Sequence, residues 1–138
     1  MAKIWVLVGD ENSARMFLTD RAAPLVEKEA HTAANAADKT GKQTNTSDSD
    51  HVIHAMDGGR DPRAEDERRF ARVLADRLRE ARLSGSYERL FLVAPPAFLG
   101  ALRPLLDAGT RDAVVGEMPK NLAQLKADSI RTHLPELL

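Results

Sequence analysis

Gly58-Gly59-Arg60-Asp61-Pro62-Arg63, then a charged run ending in Arg68-Arg69-Phe70-Ala71-Arg72-Val73-Leu74-Ala75-Asp76-Arg77-Leu78, is the stretch that decides the fold. A polar loop with two glycines passes into a long helix. Asp61 suits an N-cap, and Pro62 suits the first helical position, where a missing N–H costs nothing. Glu65, Asp66 and Glu67 sit well in the positive first turns. Phe70, Val73, Leu74, Leu78 and Ala81 recur at helical spacing and predict a core-facing stripe. Ser84-Gly85-Ser86 predicts the stop. A 61–83 helix of this length divides the chain into strands before it and strand–helix pairs after it.

Before the helix, residues 4–8 form an unbroken apolar run, as a central strand buried on both faces requires. Turn chemistry from Gly9 to Ser13 leads into a second strand at 14–19, and a turn at 20–24 leads into a third, more exposed strand at 25–30. Short connections predict an antiparallel meander. Residues 31–60 differ in kind. Up to Asp50 they contain no large apolar side chain, so a flexible polar excursion is expected there. After the helix come a buried strand at 90–94, a short helix at 97–106, a last strand at 113–118 and closing helical segments within 122–134.

The whole chain, 1–138, therefore reads as one α/β domain: a five-stranded mixed sheet with flanking helices. The antiparallel three-strand meander is joined by two parallel strands through right-handed crossovers. The order matches a ribonuclease H-like topology, a likeness of fold and not of function.

The bulk composition removes several functions. The chain has no cysteine, which excludes disulfides, thiolate metal sites and a cysteine nucleophile. A net charge of -1 argues against holding nucleic acid by bulk electrostatics, though a local basic surface is compatible with it. The N-terminal apolar run is too short for an export signal or a membrane span, so a cytoplasmic protein without membrane insertion is expected.

Specific chemistry is sparse. A ribonuclease H-like nuclease needs acids converging on divalent metal from the first strand, the long helix and the end of the fourth strand. Asp10 and Glu65, Asp66 or Glu67 could contribute, but the fourth strand ends Val93-Ala94-Pro95-Pro96, so Asp10 reads as a turn residue. His51 and His54, near Asp50 and Asp57, stand in what reads as an irregular segment and read as surface histidines, with His31 and His133 elsewhere. No metal site, cofactor or catalytic residue is expected. Gly58-Gly59-Arg60 lacks the P-loop signature, and Glu65–Arg69 and Arg72–Asp76 predict i,i+4 pairs on a solvated face. With seven arginines against six acids in 61–83, the helix is not a uniform basic stripe.

The joined pattern carries more. Phe70-Ala71-Arg72, then Leu90-Phe91-Leu92-Val93-Ala94-Pro95-Pro96-Ala97-Phe98-Leu99-Gly100, then Val114-Val115-Gly116-Glu117 and Pro119-Lys120-Asn121-Leu122, resembles the bacterial host attachment protein family, described as required for attachment to host cells. Ala-Pro-Pro-x-Phe-Leu-Gly is the most specific part. That family is similar to the middle domain of archaeal and eukaryotic peptide-chain release factors, through a Gly-Gly loop, a helix with Arg-Phe-Ala-Arg (here residues 69–72) and an apolar strand. In release factors the loop reads Gly-Gly-Gln and places a water on the peptidyl-tRNA ester. Here Gly58 and Gly59 match, and Arg60 stands where glutamine would be. A guanidinium only donates, whereas the amide also accepts.

The resemblance implies a non-catalytic accessory factor that binds RNA or the ribosome through Gly58, Gly59, Arg60, Arg63, Arg68 and Arg72. Two alternatives follow from the same likeness: a peptidyl-tRNA ester hydrolase, and an adhesion-related surface factor.

Overall fold

The computed structural model describes residues 3–20, 23–33 and 62–135; of Pro62 and Arg63 it describes the backbone. The elements are β1 (Ile4–Gly9), β2 (Ser13–Thr19), β3 (Val26–Thr32), α1 (Pro62–Leu83), β4 (Arg89–Val93), α2 (Pro96–Leu102), a 3-10 turn (Arg103–Leu105), α3 (Ala108–Ala113), β5 (Val114–Met118) and α4 (Ala127–His133). The five strands form one sheet in the order β3-β2-β1-β4-β5. β1 pairs antiparallel with β2 and parallel with β4, β2 pairs antiparallel with β3, and β4 pairs parallel with β5. This is the expected mixed α/β sheet, and its order fits the ribonuclease H-like arrangement.

Each residue of β1 is buried, as its unbroken apolar run requires. Its side chains alternate between two cores. Trp5 and Leu7 point to the α1 face, where Phe70, Leu74, Leu78, Phe98 and Leu102 close over them. Ile4, Val6 and Val8 point to the other face, with Phe17, Phe91, Ile130 and Leu134. The expected stripe on α1 holds at Phe70, Leu74, Leu78 and Ala81, all buried, while Val73 packs at its margin. Phe70 meets Phe98 with ring centroids 6.0 Å apart.

Gly85 ends α1 at φ 81°, a conformation that favours glycine. The Gly85 amide donates to the Arg82 carbonyl and the Ser86 amide to the Ala81 carbonyl, satisfying the last turn. The chain then passes Lys3, whose carbonyl accepts from the Glu88 amide at 2.8 Å. Thus α1 ends beside the start of β1, and Phe70, near its other end, lies by Phe98, just past the end of β4. The helix runs back along the parallel strands, and its N-terminal turns sit at the sheet end where β1, β4 and β5 finish.

Several boundaries differ from expectation. β3 runs two residues further, with His31 opposite Ala14 and Thr32 opposite Ser13. The helix expected at 97–106 stops at Leu102, where Pro104 cannot supply an N–H, and tightens into the 3-10 turn. α3 was not foreseen. The closing helix starts only at Ala127. Leu122 and Ala123 are buried in a turn instead, held where the Arg15 guanidinium donates to the Ala123 carbonyl at 3.0 Å and to that of Leu125. The N-cap expected at Asp61 lies outside the described residues.

Both edge strands carry a bulge. The β3 register skips Lys28, and the β5 register skips Val115. Bulges twist an edge away from further pairing.

Candidate nucleic-acid interface

The solvent face of α1 follows from its core face. With Phe70, Leu74 and Leu78 inward, the helical repeat of about 100° per residue turns residues 68, 72 and 79 outward within an arc of about 40°. All three are arginine and all three are exposed. Along the axis they are spaced by about 6 Å and then about 10 Å, from a rise of about 1.5 Å per residue.

Their charges are compensated unequally. Arg68 faces Glu65 at a loose 3.6 Å, and the Arg69 guanidinium donates to Asp66 at 2.9 Å. These are i,i+3 contacts between solvent-washed groups and hold little energy. The expected Arg72–Asp76 pair is not formed; among the described residues neither Arg72 nor Arg79 makes an ion pair. Nearly halfway round the helix from this row, Arg77 behaves differently. Its guanidinium grips both carboxylate oxygens of Glu29 on β3, the Nε contacts being 2.9 Å each. Burial would raise the Glu29 pKa, but the Arg77 hydrogen bonds, then that to His31, hold it below its ordinary value. Arg77 therefore fastens the edge strand to the helix, and Arg68, Arg72 and Arg79 point away from the fold.

Of the residues expected to form the site, Arg68 and Arg72 share this outer row. Arg63 lies in the first turn of α1. Gly58, Gly59 and Arg60 lie outside the described residues, as do His51 and His54. Arg79 was not expected in the site, although its spacing of seven from Arg72 is two helical turns and is itself a readable signal.

The other polar clusters stabilise turns. Asp10 accepts hydrogen bonds from the amides of Asn12 (2.8 Å) and Ser13 (3.0 Å), the turn role expected of it. Arg82 donates to Asp107 at 2.8 Å and to the Thr110 hydroxyl at 3.2 Å. The Thr110 hydroxyl, which donates to Asp107, outweighs the effect of burial together with Arg82 and holds that carboxyl below its usual range. Among the described residues no three His, Asp or Glu side chains gather where they could hold a metal ion, and no helix is long and apolar enough to cross a membrane.

Fold and site thus define a single α/β domain in which the outward row of α1, the longest helix among the described residues, carries guanidinium donors suited to phosphate or carboxylate. The family model described as protein required for attachment to host cells matches residues 5–134, and the chain belongs to that family. No curated protein matches the chain.

Proposed function

We propose that this member of the host attachment family is a non-catalytic cytoplasmic accessory factor that binds RNA or a ribosomal component through the surface running from Gly58 to Arg72. The observation that carries the reading is the outward row on α1, where Arg68 is loosely paired and Arg72 has no ion pair among the described residues. Phosphate is the complementary ligand for such a row, and RNA displays it repeatedly. The likeness of Gly58-Gly59 and residues 69–72 to the release-factor middle domain supports the same surface, and Arg60 in the glutamine position favours binding over ester hydrolysis.

Co-sedimentation with ribosomes at increasing salt tests this. Binding should weaken with salt, and the combined substitution Arg60→Ala, Arg63→Ala, Arg68→Ala and Arg72→Ala should flatten the log–log slope by about 0.7–0.9 for each phosphate that is no longer neutralised. Equal sedimentation of both proteins at every salt concentration would refute the proposal. Turnover of peptidyl-tRNA on stalled ribosomes would replace it with the hydrolase reading.

A further inference from the structure

Gly100, the last residue of the Ala-Pro-Pro-x-Phe-Leu-Gly segment, stands inside α2, where glycine is less favourable than alanine by about 1 kcal/mol. The other glycines of the described residues have a reason to be there. A Cβ at Gly9 would lie 2.7 Å from that of Ala14, one at Gly109 2.5 Å from the Arg82 guanidinium carbon, and one at Gly116 2.6 Å from the Phe91 ring; Gly85 has positive φ. A Cβ at Gly100 would meet nothing within 4 Å, and the backbone is helical. The fold itself does not require this glycine.

Gly100 borders a groove of about 480 Å³ between α2, the 3-10 turn, α3 and β5. Its wall is mostly apolar, built with Pro104, Leu106 and Val114. Three charged side chains also line it. Arg103 and Glu117 neutralise each other, the guanidinium donating to both carboxylate oxygens with Nε contacts of 3.0 Å. Arg111 is the remaining charge. One of its amino groups donates to the Leu106 carbonyl at 3.1 Å, which fixes the side chain. Its Nε and other amino group have no acceptor, and no carboxylate pairs with it, among the described residues. The groove therefore offers one anchored, uncompensated positive charge beside an apolar wall, with a glycine keeping its rim bare.

We propose that this groove binds a small amphiphilic monocarboxylate, with the carboxylate on Arg111 and the apolar body along Leu106, Val114 and Pro104. A single negative charge matches the single unpaired cation, and the volume lies in the range of small-ligand sites. A polyanion would place its further charges against Glu117. The site is separate from the outer row on α1 and does not depend on it.

Titrating the isotope-labelled full chain with octanoate, octanol and acetate, followed by amide NMR, tests the proposal. Octanoate should give saturable shifts centred on Gly100, Leu106 and Arg111. Octanol, lacking the charge, should bind about tenfold more weakly, the worth of one charge-assisted bond in a partly open site. Acetate, lacking the body, should not saturate. Arg111→Met should abolish the preference for octanoate over octanol, and Arg111→Lys should retain it. Gly100→Leu, whose Cβ meets nothing within 4 Å, should weaken both ligands at least about tenfold by filling the groove that Gly100 borders. Absence of saturable octanoate shifts, shifts centred elsewhere, an octanoate preference that survives Arg111→Met, or unaltered binding to Gly100→Leu would each overturn it.

Discussion

Replacing Tyr87 by phenylalanine removes one hydroxyl from the core and leaves the ring, which makes the cost traceable to a single group. The hydroxyl is buried and donates to the Leu78 carbonyl at 2.7 Å, tying the segment after α1 back to the helix. At pH 7 its loss should cost about 1 kcal/mol, the net worth of a buried hydrogen bond. The pH dependence is more decisive. Burial raises the Tyr87 pKa from 10.0 to about 12, against the smaller lowering effects of the Thr110 hydroxyl and Arg82. A raised pKa favours the protonated form in the native state, so this stabilisation is complete below pH 10 and is lost as pH rises toward 12. At pH 11 the unfolded chain would be mostly ionised at this residue and the native chain mostly not, a loss of about 1.4 kcal/mol that the phenylalanine variant does not share. The two proteins should therefore converge in stability near pH 11. Urea unfolding at pH 7, 9, 10 and 11 can follow this through Trp5, the only tryptophan, whose ring centroid lies 5.2 Å from that of Tyr87. A stability difference that stays constant from pH 7 to 11 would refute the assignment of a buried, protonated phenol.

Three further outcomes follow from the packing. Glu29→Gln should cost about 1 kcal/mol at pH 7, since the pair with Arg77 is half-screened. Because the Glu29 pKa is depressed, that difference should be present above its ordinary value of 4.5 and fade as pH falls below it, as acid titration of urea midpoints would show. Gly109→Ala brings a methyl into the space of the Arg82 guanidinium, so it should break the Arg82–Asp107 contact and lower stability by about 1–2 kcal/mol, with amide shifts in both α3 and the end of α1. Leu74→Ala empties a fully buried position under the middle of α1 and should cost about 2–5 kcal/mol by calorimetry or urea unfolding.

What could be read from the sequence follows the range of the interactions involved. β1 was legible because burial on both faces leaves an unbroken apolar run, and α1 because its stripe is long enough to fix a period. Chain connectivity then decided the sheet order, since a hairpin can join only neighbours and a parallel crossover needs the helix. α3 was illegible because its six residues, Ala-Gly-Thr-Arg-Asp-Ala, bury only Thr110 and have no apolar period to detect. It is held by Arg82, 28 residues away from Thr110 in sequence. The same limit hid the grip of Arg77 on Glu29 across 48 residues. It also hid the β5 bulge, which depends on which residue Phe91 chooses as partner. In the candidate site, Arg68 and Arg72 were visible from composition. The helical period already turns Arg77 away from their row, but its partner was not readable, because Glu29 is brought beside it only by the tertiary fold.

That separation has a consequence for experiments on this protein. Arg77 and Arg82 each hold a second element against α1, so removing either changes stability and would mimic a loss of binding. Arg68, Arg72 and Arg79 hold no other described element of the fold. Exposed substitutions of that kind cost within about 0.5 kcal/mol. At Gly100 an added Cβ meets nothing within 4 Å, so a substitution there starts without a clash. The α1 row and the α2 groove are joined beneath the surface by the Phe70–Phe98 contact, so a core variant would disturb both surfaces together. Only the solvent-facing residues can distinguish them. A binding defect in Arg72→Ala with octanoate affinity intact, set against the reverse pattern in Gly100→Leu, would establish two independent surfaces on one rigid core. Loss of both in either variant would mean that the helices move as a unit and that neither surface can be assigned from its own residues.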